Sequence, residues 1–492
     1  MTGQPISRRS ALTMLGLGSA GVAAGIAGWS TGVGAPRAGL KPGMSGERLR
    51  QPTVTFSRRG VLDVNLTAAP GVRLAGRETS AWGFNGTSPG PTLRARPGDM
   101  LRVRLVNHIG QPTNLHTHGL HVSPGGNSDN PFVTVEPGES FDYAITIPAD
   151  HPAGTYWYHP HHHGTAADQI FAGMVGALLI EAETGLPGTD DLVLVITDTT
   201  LDGSGDVVPV GPMARMLGRE GDLVLVNGQH QPVIEARRGS RQRWRIINGC
   251  ASRVLAVRLE NHQLTQIALD GAFLPAPANL DRVVLAPGNR ADVLVHATDG
   301  GPYRLISDPY SRGSMGMMSG MMEGAPAAAT PVTLATLAVS GPATSTPALP
   351  ATLPSPARPQ GPVAGQRQVT FGVGGGMRGI GANAMSFTID GRPFDPGRDD
   401  QTVRLDTIED WTLVNRSPMD HPFHLHAWPF QVLADNTGTT PTGVRQDVVL
   451  VPALGWVRLR IPFTDFPGRS VYHCHILDHE DLGMMATVNV RA

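Results

Sequence analysis

The chain has 492 residues, 39 of them Lys or Arg and 41 Asp or Glu, for a formal charge of −2. That length is too great for one hydrophobic core and predicts two to four domains; with no long basic run, nucleic acid is not an expected partner. Gly 61 and Pro 42 make up roughly a fifth of the chain, which favours short strands and turns over helices.

The first segment, "MTGQPISRRSALTMLGLGSAGVAAGIAGWS", places Arg8 and Arg9 before an uncharged, Ala- and Gly-rich stretch from Ala11 to Trp29. It resembles a twin-arginine export signal, a route that carries folded proteins and suits a chain needing its cofactor before export. A lone N-terminal membrane anchor is the alternative, since the stretch is long enough to span. Residues 1–50 are read as signal and leader, with cleavage near "GVGAPRAG". The export machinery is then a partner, the location is periplasmic, cell-surface or secreted, and the membrane is met only through an uncleaved leader.

Three segments repeat one layout, a turn with Asn-Gly or Asp-Gly followed by alternating strands that end in Asn. They run from Asn85-Gly86 to Asn107, from Asn227-Gly228 to Asn248, and from Asp390-Gly391 to Asn415. Each is followed by a second alternating strand ("VEPGESFDYAITIP", "LAPGNRADVLVHA", "VPALGWVRLRIPF") and then by a third ("GTYWYHPH", "GPYRLIS", "GRSVYHCH"). Period-two alternation between Gly/Pro turns predicts half-buried antiparallel strands and an all-β chain of three tandem β-sandwiches. The domains are placed at 51–184, 185–339 and 366–492, with a Pro/Ala-rich linker at 340–365. "GGGMRG", Gly374 to Gly379, fits a dinucleotide-binding pattern but opens onto a strand, not a helix, and is set aside.

Ten of the 18 histidines fall into four clusters: His116 and His118; His159 and His161; His421, His424 and His426; His473, His475 and His479. The first and last repeats hold them all, and the middle repeat has none. Residues i and i+2 of a strand share a face roughly 6.5 Å apart, whereas a metal–imidazole bond is about 2 Å. A His-x-His pair therefore serves two adjacent metals more easily than it pinches one. Four such pairs supply eight imidazoles, enough for two or three metals with positions open to a small molecule.

Cys474 stands between His473 and His475 and must point the other way, into the third domain, where it can meet His421 and His479. Two imidazoles and a thiolate beneath a weak thioether form the ligand set of a blue-copper electron-transfer site. Met484 is the expected axial ligand, with Met485 as its rival. The backbone then joins the Cys474 sulfur to both flanking imidazoles, a short bonded path between two metal centres. If Cys474 is a ligand there is no disulfide, and Cys250 is a small buried apolar group.

With these motifs (H-x-H-G, H-x-H, H-x-x-H-x-H and H-C-H-x3-H-x4-M) the sequence resembles a three-domain multicopper oxidase of the laccase, ascorbate oxidase and bilirubin oxidase family. The resemblance implies cupredoxin-like Greek-key sandwiches and four copper ions. His421, Cys474, His479 and Met484 would hold type 1 copper; His116 and His424 type 2; His118, His159, His161, His426, His473 and His475 the type 3 pair. It departs at Ala427, where the family usually has glycine, and in the extra histidines of "YHPHHH". His162 and His163 are read as lying beside the site or at the surface, and the remaining histidines as surface or core groups.

By the same resemblance Asp129 and Glu480 would carry protons to dioxygen. The implied activity couples one-electron oxidation of phenols, aromatic amines or Cu(I) to the reduction of O2 to water. "SMGMMSGMMEG", Met315 to Met322, offers soft thioethers that suit cuprous ion. A copper-binding or scaffold protein of the same fold with little turnover is the alternative. A two-domain nitrite reductase is disfavoured by the three repeats.

Overall fold

The computed structural model describes residues 46–181, 186, 189–313, 330–357, 359–374 and 386–492. The leader up to residue 45 and the methionine run from 315 to 322 lie outside them, as does nearly all of "GGGMRG". Strands dominate, as the alternation requires, and build three β-sandwiches. The first packs the sheet of Trp82–Phe84, Val61–Pro70, Met100–Asn107 and Ser140–Thr146 against a five-stranded sheet that ends in His116–His118. The second and third each pack six strands against five. The strand Met100–Asn107 shows the cause, with Leu101, Val103 and Leu105 buried and Arg102 and Arg104 outside.

The antiparallel expectation needs correcting. In every domain the Asn-ended strand runs parallel to the domain's first long strand, with Asn107 opposite Ala68, Asn248 opposite Ile196 and Asn415 opposite Phe371. It is antiparallel only on its other edge. Alternation reports which face is buried and is blind to strand direction, so the sequence pattern could not decide between the two.

The recurring Asn has one physical role in all three copies. Asn107, Asn248 and Asn415 each accept the backbone N–H two residues on and donate Nδ2 to carbonyls of the returning loop, among them Val135, Leu285 and Val451. The turn residues Asn85, Asn227 and Asp390 hold φ of 54°, 51° and 53°, followed by glycines at 75°, 73° and 76°. This left-handed pair makes the tight turn that Asn-Gly and Asp-Gly tolerate best.

The segment 340–365 is tied to the middle sandwich. Leu353 is buried against Ile267 and Leu294, and the Pro347 carbonyl accepts from Arg241. Its end already belongs to the strand Val363–Gly374. Cys250 is buried, and both cysteines are free.

Short helices from all three domains meet beside the candidate site: Ala166–Phe171, Pro212–Leu217 and Leu477–Asp481. Arg219 joins them, with one nitrogen 2.6 Å from Asp168 and another 2.6 Å from Asp478. The first and second domains touch so closely at Gly154 that a Cβ there would collide with the Gly271 carbonyl. Gly154→Ala should therefore destabilise the chain by about 1–3 kcal/mol, the usual cost of overpacking, read as a lowered denaturation midpoint. No helix among the described residues is long and apolar enough to cross a membrane.

Candidate metal centre

Two pairs of strands deliver the histidines. His116–His118 lies antiparallel to Gly154–His159, setting His116 opposite His159; His421–Leu425 lies antiparallel to Gly468–Cys474, setting His424 opposite His473. The first pair belongs to domain one and the second to domain three, and they meet face to face. His116 Nε2 is 3.3 Å from His424 Nε2, and His161 Nε2 is 3.0 Å from His473 Nε2. Two groups of three imidazoles result, His118 with His159 and His475, and His161 with His426 and His473. His116 and His424 face each other beside them, with His118 in reach of both. Every His-x-His pair is divided between groups, as strand geometry requires.

The outer nitrogens are fixed by partners that can only accept. Nδ1–H of His159 donates to the Pro160 carbonyl at 2.8 Å, that of His424 to the Asp447 carbonyl at 2.8 Å, and that of His116 to the Asp129 carboxylate at 3.0 Å. His118 is turned the other way, its Nε2 3.0 Å from Asp447 Oδ1 and its Nδ1 3.2 Å from His159 Nε2. Each inner nitrogen is then a bare lone pair. Burial first, and the neighbouring imidazoles after it, hold His116, His118, His424, His426 and His475 well below the ordinary histidine range. These rings are neutral, the form that ligates.

Lone pairs facing one another at about 3 Å repel and cannot hydrogen-bond, so the arrangement lacks a positive partner. Both nitrogens of His475 and Nδ1 of His161 and His426 are buried without a hydrogen bond among the described residues. The site fits metal ions, and neutral nitrogen donors suit copper.

Cys474 projects away from this cluster. Its sulfur is 3.4 Å from His421 Nδ1 and 3.9 Å from His479 Nδ1, and all three residues are fully buried. His479 Nε2–H donates to the Met216 carbonyl at 3.1 Å, which leaves Nδ1 free to face the sulfur. Burial raises the Cys474 thiol above its ordinary range, so a bound cation is what would make it a thiolate. Met484 packs in the same buried cluster as Cys474. Met485, one residue on and therefore on the other face, pairs with His473 and lines a cavity with His161.

Models of multicopper oxidase domains match residues 66–185, 191–340 and 367–492. The chain belongs to the multicopper oxidase family. That membership makes it an oxidoreductase of a copper-dependent kind, and its sandwiches are of the cupredoxin-like type. The oxidase is 28% identical over 422 residues to "Multicopper oxidase mco" of Staphylococcus haemolyticus, spanning 83% of each chain. It is 30% identical over 394 residues to "Cell division protein FtsP" of Edwardsiella tarda, spanning 78% of this chain and 79% of that one. A solved multicopper oxidase from Campylobacter jejuni, described as a metallo-oxidase, matches with a TM-score of 0.82 at 29% identity, over 93% of this chain and 98% of the other.

Around the candidate metal centre the two carboxylates singled out from sequence are both buried beside imidazoles. Asp129 binds His116 Nδ1 and the Thr117 N–H, and burial pushes its carboxyl up to about 7. Glu480 Oε2 is 3.0 Å from His473 Nδ1 and Oε1 is 3.5 Å from His161 Nε2. Burial alone would raise its carboxyl; the His161 and His473 imidazoles outweigh it and hold it below the ordinary range. His162 and His163 are part-buried and line a cavity of about 310 Å³ that His161 also reaches. Ala427 holds a left-handed φ of 63°, which explains why glycine suits that position.

Three contributors were missed by sequence reasoning: Asp447, Arg290 and the Met216 carbonyl. The first two carried a faint signal, a charge at the start of an apolar strand ("DVVLV", "RADVLV"). The third carried none, because any residue has a carbonyl.

Proposed function

We propose that this multicopper oxidase binds four copper ions and couples four one-electron oxidations to the reduction of O2 to two waters. His421, Cys474 and His479, with Met484 as axial thioether, would hold the type 1 ion. His116 and His424 would hold type 2; His118, His159, His161, His426, His473 and His475 would hold the type 3 pair. The supporting observation is the divergence at Cys474, whose sulfur meets His421 and His479 while its two sequence neighbours join the eight-imidazole group.

Bound copper would supply one-electron chemistry beside Cys474 and reduction of dioxygen among the eight imidazoles. The chain supplies the rest. Buried rings exclude water from both centres, and His473–Cys474–His475 connects them through bonds. Glu480 and Asp129 lie where protons are needed. His479 Nε2–H bonds the Met216 carbonyl, so the helix Pro212–Leu217 would form the outer face of the donor site. The methionines from 315 to 322 are proposed to dock cuprous ions, making Cu(I) a substrate alongside phenols. Arg8 and Arg9 are proposed to direct export of the folded chain.

Oxygen consumption by the copper-loaded protein tests this reading, with Cu(I) and a phenol as donors. Turnover of Cu(I) is expected to fall, and that of the phenol to persist, when Met315, Met317, Met318, Met321 and Met322 are replaced. The similarity to FtsP supports a second reading, a scaffold with little turnover. A fully loaded protein that consumes no oxygen with either donor would establish the scaffold and end the oxidase reading.

A further inference from the structure

We infer that Arg290 is a positioning residue for the eight-imidazole site, acting through Asp447; the inference rests on the copper reading above. The middle domain brings no histidine to that site, yet its Arg290 reaches the site's edge and is fully buried. Its Nη1 donates to Asp447 Oδ1 at 2.6 Å and its Nη2 to Oδ2 at 2.7 Å, a two-pronged grip. Asp447 in turn accepts from His118 Nε2 through Oδ1 and from His424 Nδ1 through its backbone carbonyl. One residue of domain three thus orients a ring from domain one and a ring from its own domain. Those two rings stack at 3.8 Å with 12° between their planes.

The grip is itself fixed. Asp270, also of the middle domain, accepts from Arg290 N–H at 3.0 Å, from Asn289 Nδ2 at 2.9 Å and from Val448 N–H at 3.1 Å. Arg290 and Asp447 are therefore held at both ends before either touches a histidine. The glycine of the H-x-H-G motif has its reason here. Gly119 has φ +90°, and a Cβ on it would strike Arg290 Nη2 and Asp447 Oδ2. Gly288, whose carbonyl accepts from Arg290 Nη1, is similarly confined, with His475 Nε2 only 2.9 Å from where its Cβ would sit.

Stability does not explain such a pair. A buried ion pair commonly gives no more than an apolar pair of the same volume, because both charges must be desolvated. Geometry does explain it. Asp447 can leave His118 with Nδ1 free and His424 with Nε2 free only while the guanidinium keeps its side chain and its backbone in place.

The test uses full-length, copper-loaded protein carrying Asp447→Asn, Arg290→Lys, Arg290→Met or Gly119→Ala. Asn matches Asp in shape and breaks the two-pronged grip; Lys keeps the charge without the fork; Gly119→Ala displaces the guanidinium and leaves both charges. Each variant should keep the blue absorption of the Cys474 site, which reports folding in the same molecule. Each should change the hyperfine splitting of type 2 copper in electron paramagnetic resonance. Copper affinity at the eight-imidazole site should fall about 10–100-fold, the usual effect of losing a residue that orients a ligand. Unaltered hyperfine splitting and copper affinity in Asp447→Asn and Arg290→Lys, with only a lowered melting temperature, would reduce the pair to a strut between domains. If the unsubstituted protein takes up no copper at this site, the copper reading itself fails, a result the variants cannot imitate.

Discussion

Cys474→Ser should abolish oxidation of every donor while leaving the eight-imidazole site able to bind metal. The sulfur is the only soft anionic donor among His421, Cys474 and His479. A serine hydroxyl does not deprotonate in its place, and its shorter bond to carbon withdraws the atom from the two imidazoles. The intense blue thiolate absorption should vanish, one copper per chain should be lost, and oxygen uptake should fall below detection with both Cu(I) and a phenol. Folding should survive. Exchanging thiol for hydroxyl in a buried site costs about 1–3 kcal/mol at most, and the Ile476 N–H that now points at the sulfur can satisfy the oxygen. Persistent type 2 signals in a protein that still unfolds cooperatively would show that only the donor side was lost. Residual turnover would mean that electrons reach the eight imidazoles by a path that avoids residue 474, and the proposed connection would be wrong.

What the sequence reveals and what it hides divide along the distance over which each feature is encoded. His116 and His118, or His473 and His475, declare themselves because two residues of strand place their rings on one face, a relation visible within three letters. The opposite direction of Cys474 follows from the same rule. Choosing between Met484 and Met485 needs the register of Met485 against His473, which spacing alone does not contain. The direction of the Asn-ended strands was misread for the reason that alternation is the same in parallel and antiparallel pairs. Arg290 and Asp447 are 157 residues apart and lie in different domains. Each looks like an ordinary strand charge until the two sandwiches close on each other and leave both without water. The carbonyl of Met216 meets His479 for the same tertiary reason.

Glu480→Gln should lower kcat by about 10²–10⁴-fold, the range expected when a positioned proton carrier is removed, without slowing uptake of electrons beside Cys474. Glu480 sits in the helix Leu477–Asp481 directly after His479, fully buried, and its carboxylate reaches the His473 and His161 side. It therefore borders both centres at once. His473 Nδ1 already bonds the Cys474 carbonyl at 3.0 Å, and neither Glu480 oxygen has a well-aligned hydrogen bond among the described residues. The imidazoles beside it keep the carboxylate ionised without an aligned hydrogen bond, and its placement makes sense as a station for protons moving toward dioxygen. The competing view is that Glu480 only balances charge. Glutamine keeps the size and the polarity and removes both the charge and the transferable proton, so the rate alone does not separate the two views. Anaerobic reduction of the blue site measures what the lost charge alone does to the potential there, and the solvent deuterium effect separates the views. The proton-carrier view predicts a larger solvent deuterium effect on kcat in the variant, since proton delivery becomes the slow step. A shifted potential with an unchanged deuterium effect would assign Glu480 to electrostatics and leave Asp129, buried against His116, as the remaining candidate on the cluster's other side.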